Sequence, residues 1–128
     1  IKLDDINVLN YGWPKVSYGE HYGLKSKNKE FYKKYPLFKS HKKYNFIEPL
    51  KYFVPSIAIS EIVQIKDGSF VTSSLKDRSL YFFNLNDKNE IENFSRIEVY
   101  ERVRDMIFKN DKIFLFMEDS ASIGIIKL

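Results

Sequence analysis

The chain has no cysteine among its 128 residues, so it carries no disulfide framework and no thiolate metal site. That absence also leaves its redox compartment open. Histidine is scarce: His21 and His41 are the only two. A metal centre needs several convergent ligands, and nothing in the spacing brings this pair together. No apolar run approaches the roughly 20 residues of a membrane-spanning helix, and no secretory leader is visible at the N-terminus. There is no Ser/His/Asp nucleophile motif and no glycine-rich phosphate loop. No internal repeat stands out. The chain opens at Ile1 without an initiator methionine, which suggests a mature product or an excised piece.

What remains describes a folded chain. Hydrophobic residues make up 44% and aromatic residues 16%, too much for a disordered tail and enough for one domain with a core. A net charge of +4 is compatible with an anionic partner without demanding one.

The organising stretch runs from Phe53 to Leu85 and reads as three strands. Ile57–Ile65 comes first, then an Asp67-Gly68 turn, then Phe70–Leu75. Lys76-Asp77-Arg78 connects to the third, Ser79–Leu85. Strong β-formers flanking Asp-Gly are a good local hairpin signal. The third strand is apolar on both parities, with Leu80 and Phe82 on one and Tyr81, Phe83 and Leu85 on the other, which predicts cover on both faces. Small residues in the first strand, Ala58 and Ser60, suggest a crowded place such as the narrow end of a radial array. Further strands follow: a weaker one near Arg96–Val99, then Val103–Phe108, Ile113–Met117 and Ser122–Leu128. Polar turns at Asn86–Asn89, Lys109–Lys112 and Glu118–Ser120 separate them. This rhythm predicts an all-β sandwich, barrel or propeller.

The first part of the chain is less regular. Ile1–Leu9 is mixed, and turn regions follow at Asn10–Pro14 and Tyr18–Gly23. Residues 24–46 read as a long, lysine-rich surface excursion with one short helical turn near Lys29–Lys34. Ile47–Val54 reads as extended and ends at Pro55.

Four groups could carry chemistry. Lys76, Arg102 and Arg104 are the first. Arg102 and Arg104 are two residues apart, so an extended segment points both to one face. Guanidinium forks and an ammonium together suit a carboxylate or phosphate. The plainer alternative leaves these cations solvated or pairs them with Asp77, Glu101 and Asp105, and spacing alone favours it. His21, beside Glu20, and His41 are the second group, and ordinary surface or turn histidines are the favoured reading. The lysine and aromatic excursion, with Lys33, Lys34, Lys42 and Lys43 among Phe31, Tyr32, Tyr35 and Phe38, is the third. Such mixtures bind single-stranded nucleic acid in some proteins, but no nucleic-acid motif accompanies it and a solubilising loop is favoured. Glu118-Asp119 is the fourth, as a cation-ligand pair or, better, a strand-ending turn.

Three motifs together carry a resemblance. Asn10-Tyr11-Gly12-Trp13-Pro14, Ser74-Leu75-Lys76 and Glu101-Arg102-Val103-Arg104-Asp105-Met106 are similar, in order and rough spacing, to the C-terminal part of the soluble PQQ-dependent sugar dehydrogenases, the glucose/sorbosone or aldose sugar dehydrogenase family. Glu48–Ser56 and the last strand resemble family members too. The resemblance implies part of a six-bladed β-propeller with four antiparallel strands per blade, of which this chain holds roughly two or three blades. It implies that Lys76, Arg102 and Arg104 contact the anionic cofactor pyrroloquinoline quinone (PQQ), and that Ser56 supplies a hydroxyl nearby. It places the catalytic histidine base and the calcium ligands upstream of the stretch matched here; neither His21 nor His41 corresponds to that base. The expected chain is therefore an inactive portion of an aldose dehydrogenase with part of a cofactor site. Its partners would be the N-terminal blades or further copies of itself, and sugar would bind only in the complete propeller. A periplasmic or secreted location follows from the same resemblance. The alternative is a non-catalytic binding or self-assembly module built from propeller blades.

Overall fold

A computed structural model of the chain describes residues 9–21 and 28–128. The expected Ile1–Leu9 segment, apart from Leu9, and the end of the Tyr18–Gly23 turn region lie outside the described residues, as do Lys25 and Lys27. The chain divides into two compact units, Ile1–Pro55 and Ser56–Leu128.

The described residues of Ile1–Pro55 are organised by turns. Gly12 sits at φ +82, where any Cβ would collide with Val16 and Phe46. Its carbonyl accepts from the amides of Lys15 at 2.8 Å and Val16 at 3.0 Å. This turn sets Val16 to form an isolated parallel bridge with Phe38. Helix α1 spans Lys29–Lys34, where the helical turn is expected. It begins because the Asn28 side chain accepts from the Phe31 amide at 2.9 Å, capping an otherwise unpaired donor. A 3-10 turn, Lys42–Tyr44, ends at Asn45 in the left-handed region. Val16, Leu37 and His41 are buried. The excursion thus contributes interior residues as well as a lysine-rich surface. Ile47–Val54 forms no strand.

Ser56–Leu128 contains seven strands: β1 (Ile59–Lys66), β2 (Ser69–Ser74), β3 (Ser79–Leu85), β4 (Ile91–Glu98), β5 (Val103–Lys109), β6 (Lys112–Met117) and β7 (Ser122–Lys127). They form two antiparallel meanders, ordered β1-β2-β3-β4 and β5-β6-β7. The fold is all-β, as the strand rhythm predicts. One core joins the sheets: Val71 and Leu80 from the first meet Val103, Met106, Ile113 and Leu115 from the second. At one end the sheets are also linked by hydroxyls. Ser60 donates to the Val103 carbonyl at 2.5 Å. Its single proton is then spent, so at 2.8 Å the Ser73 hydroxyl must be the donor to Ser60. Ser73, Ser74 and Ser79 are fully buried, which accounts for the small side chains there.

No residue of β3 is exposed. Leu80 and Phe82 face the core. The opposite face is covered by aromatic rings of the same sheet, with Phe70 and Phe83 stacked at 5.5 Å and Tyr81 and Phe94 at 5.6 Å. Strand β4 begins earlier than its expected core near Arg96–Val99. A register shift opposite Phe82 and Asn84, with Asn93 at φ 51, breaks the two-residue alternation that marks a strand in sequence.

Candidate anion site

The β2–β3 connection is held rigidly. The Ser74 hydroxyl accepts from the Ser79 amide and donates to the Ser79 carbonyl, both at 3.1 Å. The Asp77 carboxylate accepts from the Tyr81 hydroxyl at 2.5 Å and from Arg96 Nε at 2.8 Å. The Tyr81 hydrogen bond, then that of Arg96, lowers the Asp77 pKa to about 2. Tyr81 responds in the opposite sense: burial, then its bond to Asp77, raises its pKa. The backbone of Lys76 is fixed as well, its amide donating to the Ile57 carbonyl at 3.0 Å. Its side chain is exposed and joins no ion pair among the described residues. Ser56 is exposed, and its hydroxyl accepts from the Ala58 amide at 3.2 Å. It precedes Ile57, so Ser56 and Lys76 stand at the same end of the β1–β2–β3 sheet.

Arg102 and Arg104 flank buried Val103 where β5 begins. A register shift between Val103 and Asp105 leaves Arg104 as the extra residue of a bulge. Both arginines reach one carboxylate. Arg102 Nε donates to Glu118 Oε2 at 3.0 Å, Arg104 Nε lies 2.7 Å from the same oxygen, and Arg104 Nη2 donates to Oε1 at 3.0 Å. These bonds, that of Arg104 first, lower the Glu118 pKa. Next to Glu118, Asp119 pairs with Arg78 at 3.1 Å.

The β6–β7 turn therefore ties the Lys76–Arg78 connection to the Arg102–Arg104 strand. Arg102 and Arg104 meet at Glu118, and Arg78, two residues after Lys76, meets the adjacent Asp119; no contact joins Lys76 or Ser56 to either arginine among the described residues. The pairing partners differ from those expected. Asp77 serves Arg96 and Tyr81, and Asp105 accepts from the Met106 amide at 2.8 Å. Glu101 has a carboxylate oxygen buried without a hydrogen-bond partner. Glu118 takes both arginines instead. Glu118-Asp119 is a strand-ending turn whose carboxylates are engaged by cations of the chain itself. Arg78 escaped the sequence reading because its partner, Asp119, is distant in sequence; its place beside Lys76 was the available signal.

Ile1–Pro55 holds a separate cluster. A cavity of about 250 Å³ is lined by Tyr11, Trp13, Tyr18, His41, Tyr52 and Phe53, among others. Tyr18 stacks on Tyr52 with centroids 3.8 Å apart and on His41 at 5.0 Å. The Tyr18 hydroxyl donates to Glu48 at 2.7 Å. That bond raises the Tyr18 pKa and lowers that of Glu48. His41 is not a surface histidine: it is 5% exposed, and Nδ1 makes no hydrogen bond, lying 3.5 Å from Glu48. Its burial follows from its stacking on Tyr18, which no local pattern announces. His21 packs on Phe31 and Tyr32, with Nε2 2.7 Å from the Tyr35 carbonyl oxygen.

The family model described as Glucose / Sorbosone dehydrogenase matches residues 2–127. Among curated proteins, an uncharacterized protein of Synechocystis sp., slr1608, is 26% identical over 114 residues, covering 80% of this chain and 26% of that protein. The chain thus spans about a quarter of the length of this relative. No solved structure matches the chain significantly.

PQQ, the cofactor general to this family, carries three carboxylates on a planar ring system. The donor set of two guanidiniums and an ammonium fits those groups chemically. Among the described residues no group of three or more His, Asp or Glu could hold a metal ion.

Proposed function

The chain belongs to the glucose/sorbosone dehydrogenase family, and from that premise we propose that it supplies the carboxylate-binding edge of a PQQ site in an aldose dehydrogenase-like β-propeller. One observation supports the reading: Arg102 and Arg104 already hold one carboxylate, that of Glu118, and the adjacent Asp119 is held by Arg78, two residues from Lys76. When bound, the quinone supplies the hydride acceptor for oxidation of an aldose at C1. The residues of this chain bind and orient it. Arg102 and Arg104 offer planar forks for a carboxylate, and Lys76 adds a mobile point charge. Ser56 adds a hydroxyl. Two antiparallel meanders joined through one core are what adjacent propeller blades require. The reading places the remaining blades and the sugar site in partner segments, and the protein in the periplasm or outside the cell.

Titration of the chain with PQQ, followed by fluorescence, tests the assignment. Binding is expected to weaken at least tenfold in Lys76→Ala and to disappear in the Arg102→Ala/Arg104→Ala double variant. Equal binding by wild type and the double variant removes the assignment. With PQQ, calcium and an aldose, the chain alone is expected to reduce no dye; sugar-dependent reduction would show that it holds a base.

A second reading has an observation of its own. Ile107, Ile123 and Ile125 are 49%, 60% and 60% exposed. They pair across β6 with Phe114 and Phe116 on the face of the β5–β7 sheet away from the core. An apolar sheet face of this kind, beside an unpaired strand edge, favours assembly. A sedimentation coefficient that stays monomeric at high concentration would exclude self-association.

A further inference from the structure

Both guanidinium forks of the candidate site are already engaged by Glu118. Its two oxygens meet Arg102 Nε at 3.0 Å, Arg104 Nε at 2.7 Å and Arg104 Nη2 at 3.0 Å. This is the geometry in which arginines take a ligand carboxylate. The backbone fixes the arrangement, because the Glu118 amide donates to the Arg102 carbonyl at 2.8 Å. The neighbouring acids are turned elsewhere. Asp119 is held by Arg78, Asp77 by Arg96 and Tyr81, and Asp105 by the Met106 amide. The Glu101 carboxylate makes no ion pair among the described residues.

The contact is a weak one to break. The Arg102 and Glu118 side chains are each 36% exposed and Arg104 is 55% exposed. Exposed ion pairs of this kind shift an equilibrium by less than about tenfold. A buried structural pair would resist exchange, whereas this one permits it.

We infer that Glu118 is a resident surrogate for a ligand carboxylate: it aligns Arg102 and Arg104 for a carboxylate and must be displaced when one binds. It is a positioning residue that also sets the affinity of the site. The identity of the ligand rests on the PQQ reading above, but the displacement does not. With Glu118 ionised, Arg102, Arg104 and Glu118 together carry one net positive charge; without the Glu118 charge the two arginines carry two. An incoming anion also meets the Glu118 charge at close range, which at about 4 Å weakens its binding about fivefold per unit charge even with the screening of bulk water.

Citrate, a carboxylate ligand with no quinone, tests the displacement. It is titrated into wild type, Glu118→Gln, Glu118→Ala and Arg102→Ala/Arg104→Ala in calcium-free buffer, and the arginine Nε–H resonances are followed by NMR. Both Glu118 variants are expected to bind citrate at least fivefold more tightly than wild type, and the double variant to lose binding. Amide spectra that remain dispersed show that each variant is folded. Displacement differs from charge repulsion in the wild type itself: the Glu118 carboxyl carbon resonance and the Nε–H resonances of Arg102 and Arg104 are expected to move together as citrate saturates the site, and a Glu118 resonance that stays fixed while citrate binds overturns the inference. Citrate affinity in the Glu118 variants equal to or weaker than wild type, or absent throughout, overturns the inference. A parallel PQQ titration separates the two readings. Citrate binding tightened as expected, with PQQ bound by no variant, removes the PQQ assignment and leaves the displacement standing.

Discussion

The described residues of Ile1–Pro55 are organised by turns, a six-residue helix and one isolated bridge. Those of Ser56–Leu128 are organised by seven strands around one shared core. The difference shows in what each unit does with its polar groups. In Ser56–Leu128 the sheets satisfy most of the backbone, so side chains such as Arg102, Arg104 and Glu118 are left to engage one another at a rim. In Ile1–Pro55 side chains must do backbone work. Glu48 accepts from the Lys42 amide at 3.0 Å, Asn10 from the Gly12 amide at 2.8 Å and Asn28 from the Phe31 amide at 2.9 Å. A unit built this way depends on individual turn residues, whereas a unit built on sheets depends on its core.

The largest expected effect breaks the core. Ile113→Ala should destabilise Ser56–Leu128 by about 3 kcal/mol in urea unfolding, because Ile113 is fully buried between the two sheets. A loss under about 1 kcal/mol would remove the claim that this unit rests on its core. Next is Gly12→Ala, expected to cost Ile1–Pro55 about 2 kcal/mol, from the left-handed backbone and the collision with Val16 and Phe46. Faster amide exchange at Val16 and Phe38 would report it, and unchanged exchange would show that the turn tolerates a side chain.

A smaller effect depends on pH. The Asp77 pKa is about 2 in the fold against an ordinary 3.8. A lowered carboxyl pKa contributes stability that is fully present above about 3.8 and is lost as pH falls through about 2. With the side chain 32% exposed, about 1 kcal/mol is expected after allowance for solvent screening. Asp77→Asn should flatten the acid limb of the stability profile of Ser56–Leu128 between pH 4 and 2. A wild-type acid limb retained in the variant would assign the effect to other carboxylates. The smallest effect is that of Asn28→Ala, expected to cost less than about 1 kcal/mol by uncapping α1. It should be confined to amide exchange around Phe31, and a change reaching Ile113 would break the contrast between the units.

The strands were largely legible. Ser79–Leu85 is a strand with those limits, because its β-formers are uninterrupted and short polar stretches bound it. The N-terminal half of β4 was not legible, since a bulge and a left-handed Asn93 hide its alternation. Lys76, Arg102 and Arg104 stand out in the sequence by residue type and resemblance, and in the structure the two arginines share one carboxylate. Their partner could not be read: Glu118 lies 16 residues from Arg102 and 14 from Arg104, and nearer acids offered themselves. His41 reads in sequence as a surface or turn histidine: it does begin the 3-10 turn, but its ring is buried against Tyr18 and not at the surface.

Local order in this chain is written in local residues. Asp67-Gly68, Asn110-Asp111 and the apolar runs between them need only their neighbours to define turns and strands, because backbone preference and side-chain alternation act over a few residues. Which charges meet is a different matter. It depends on how β5 registers against β6 and on the bulge at Arg104, and these are set by packing Val103, Met106, Ile113 and Leu115 into the common core. Burial of those apolar side chains outweighs the weak preferences of exposed ions. The core therefore chose Glu118 as the partner of both arginines.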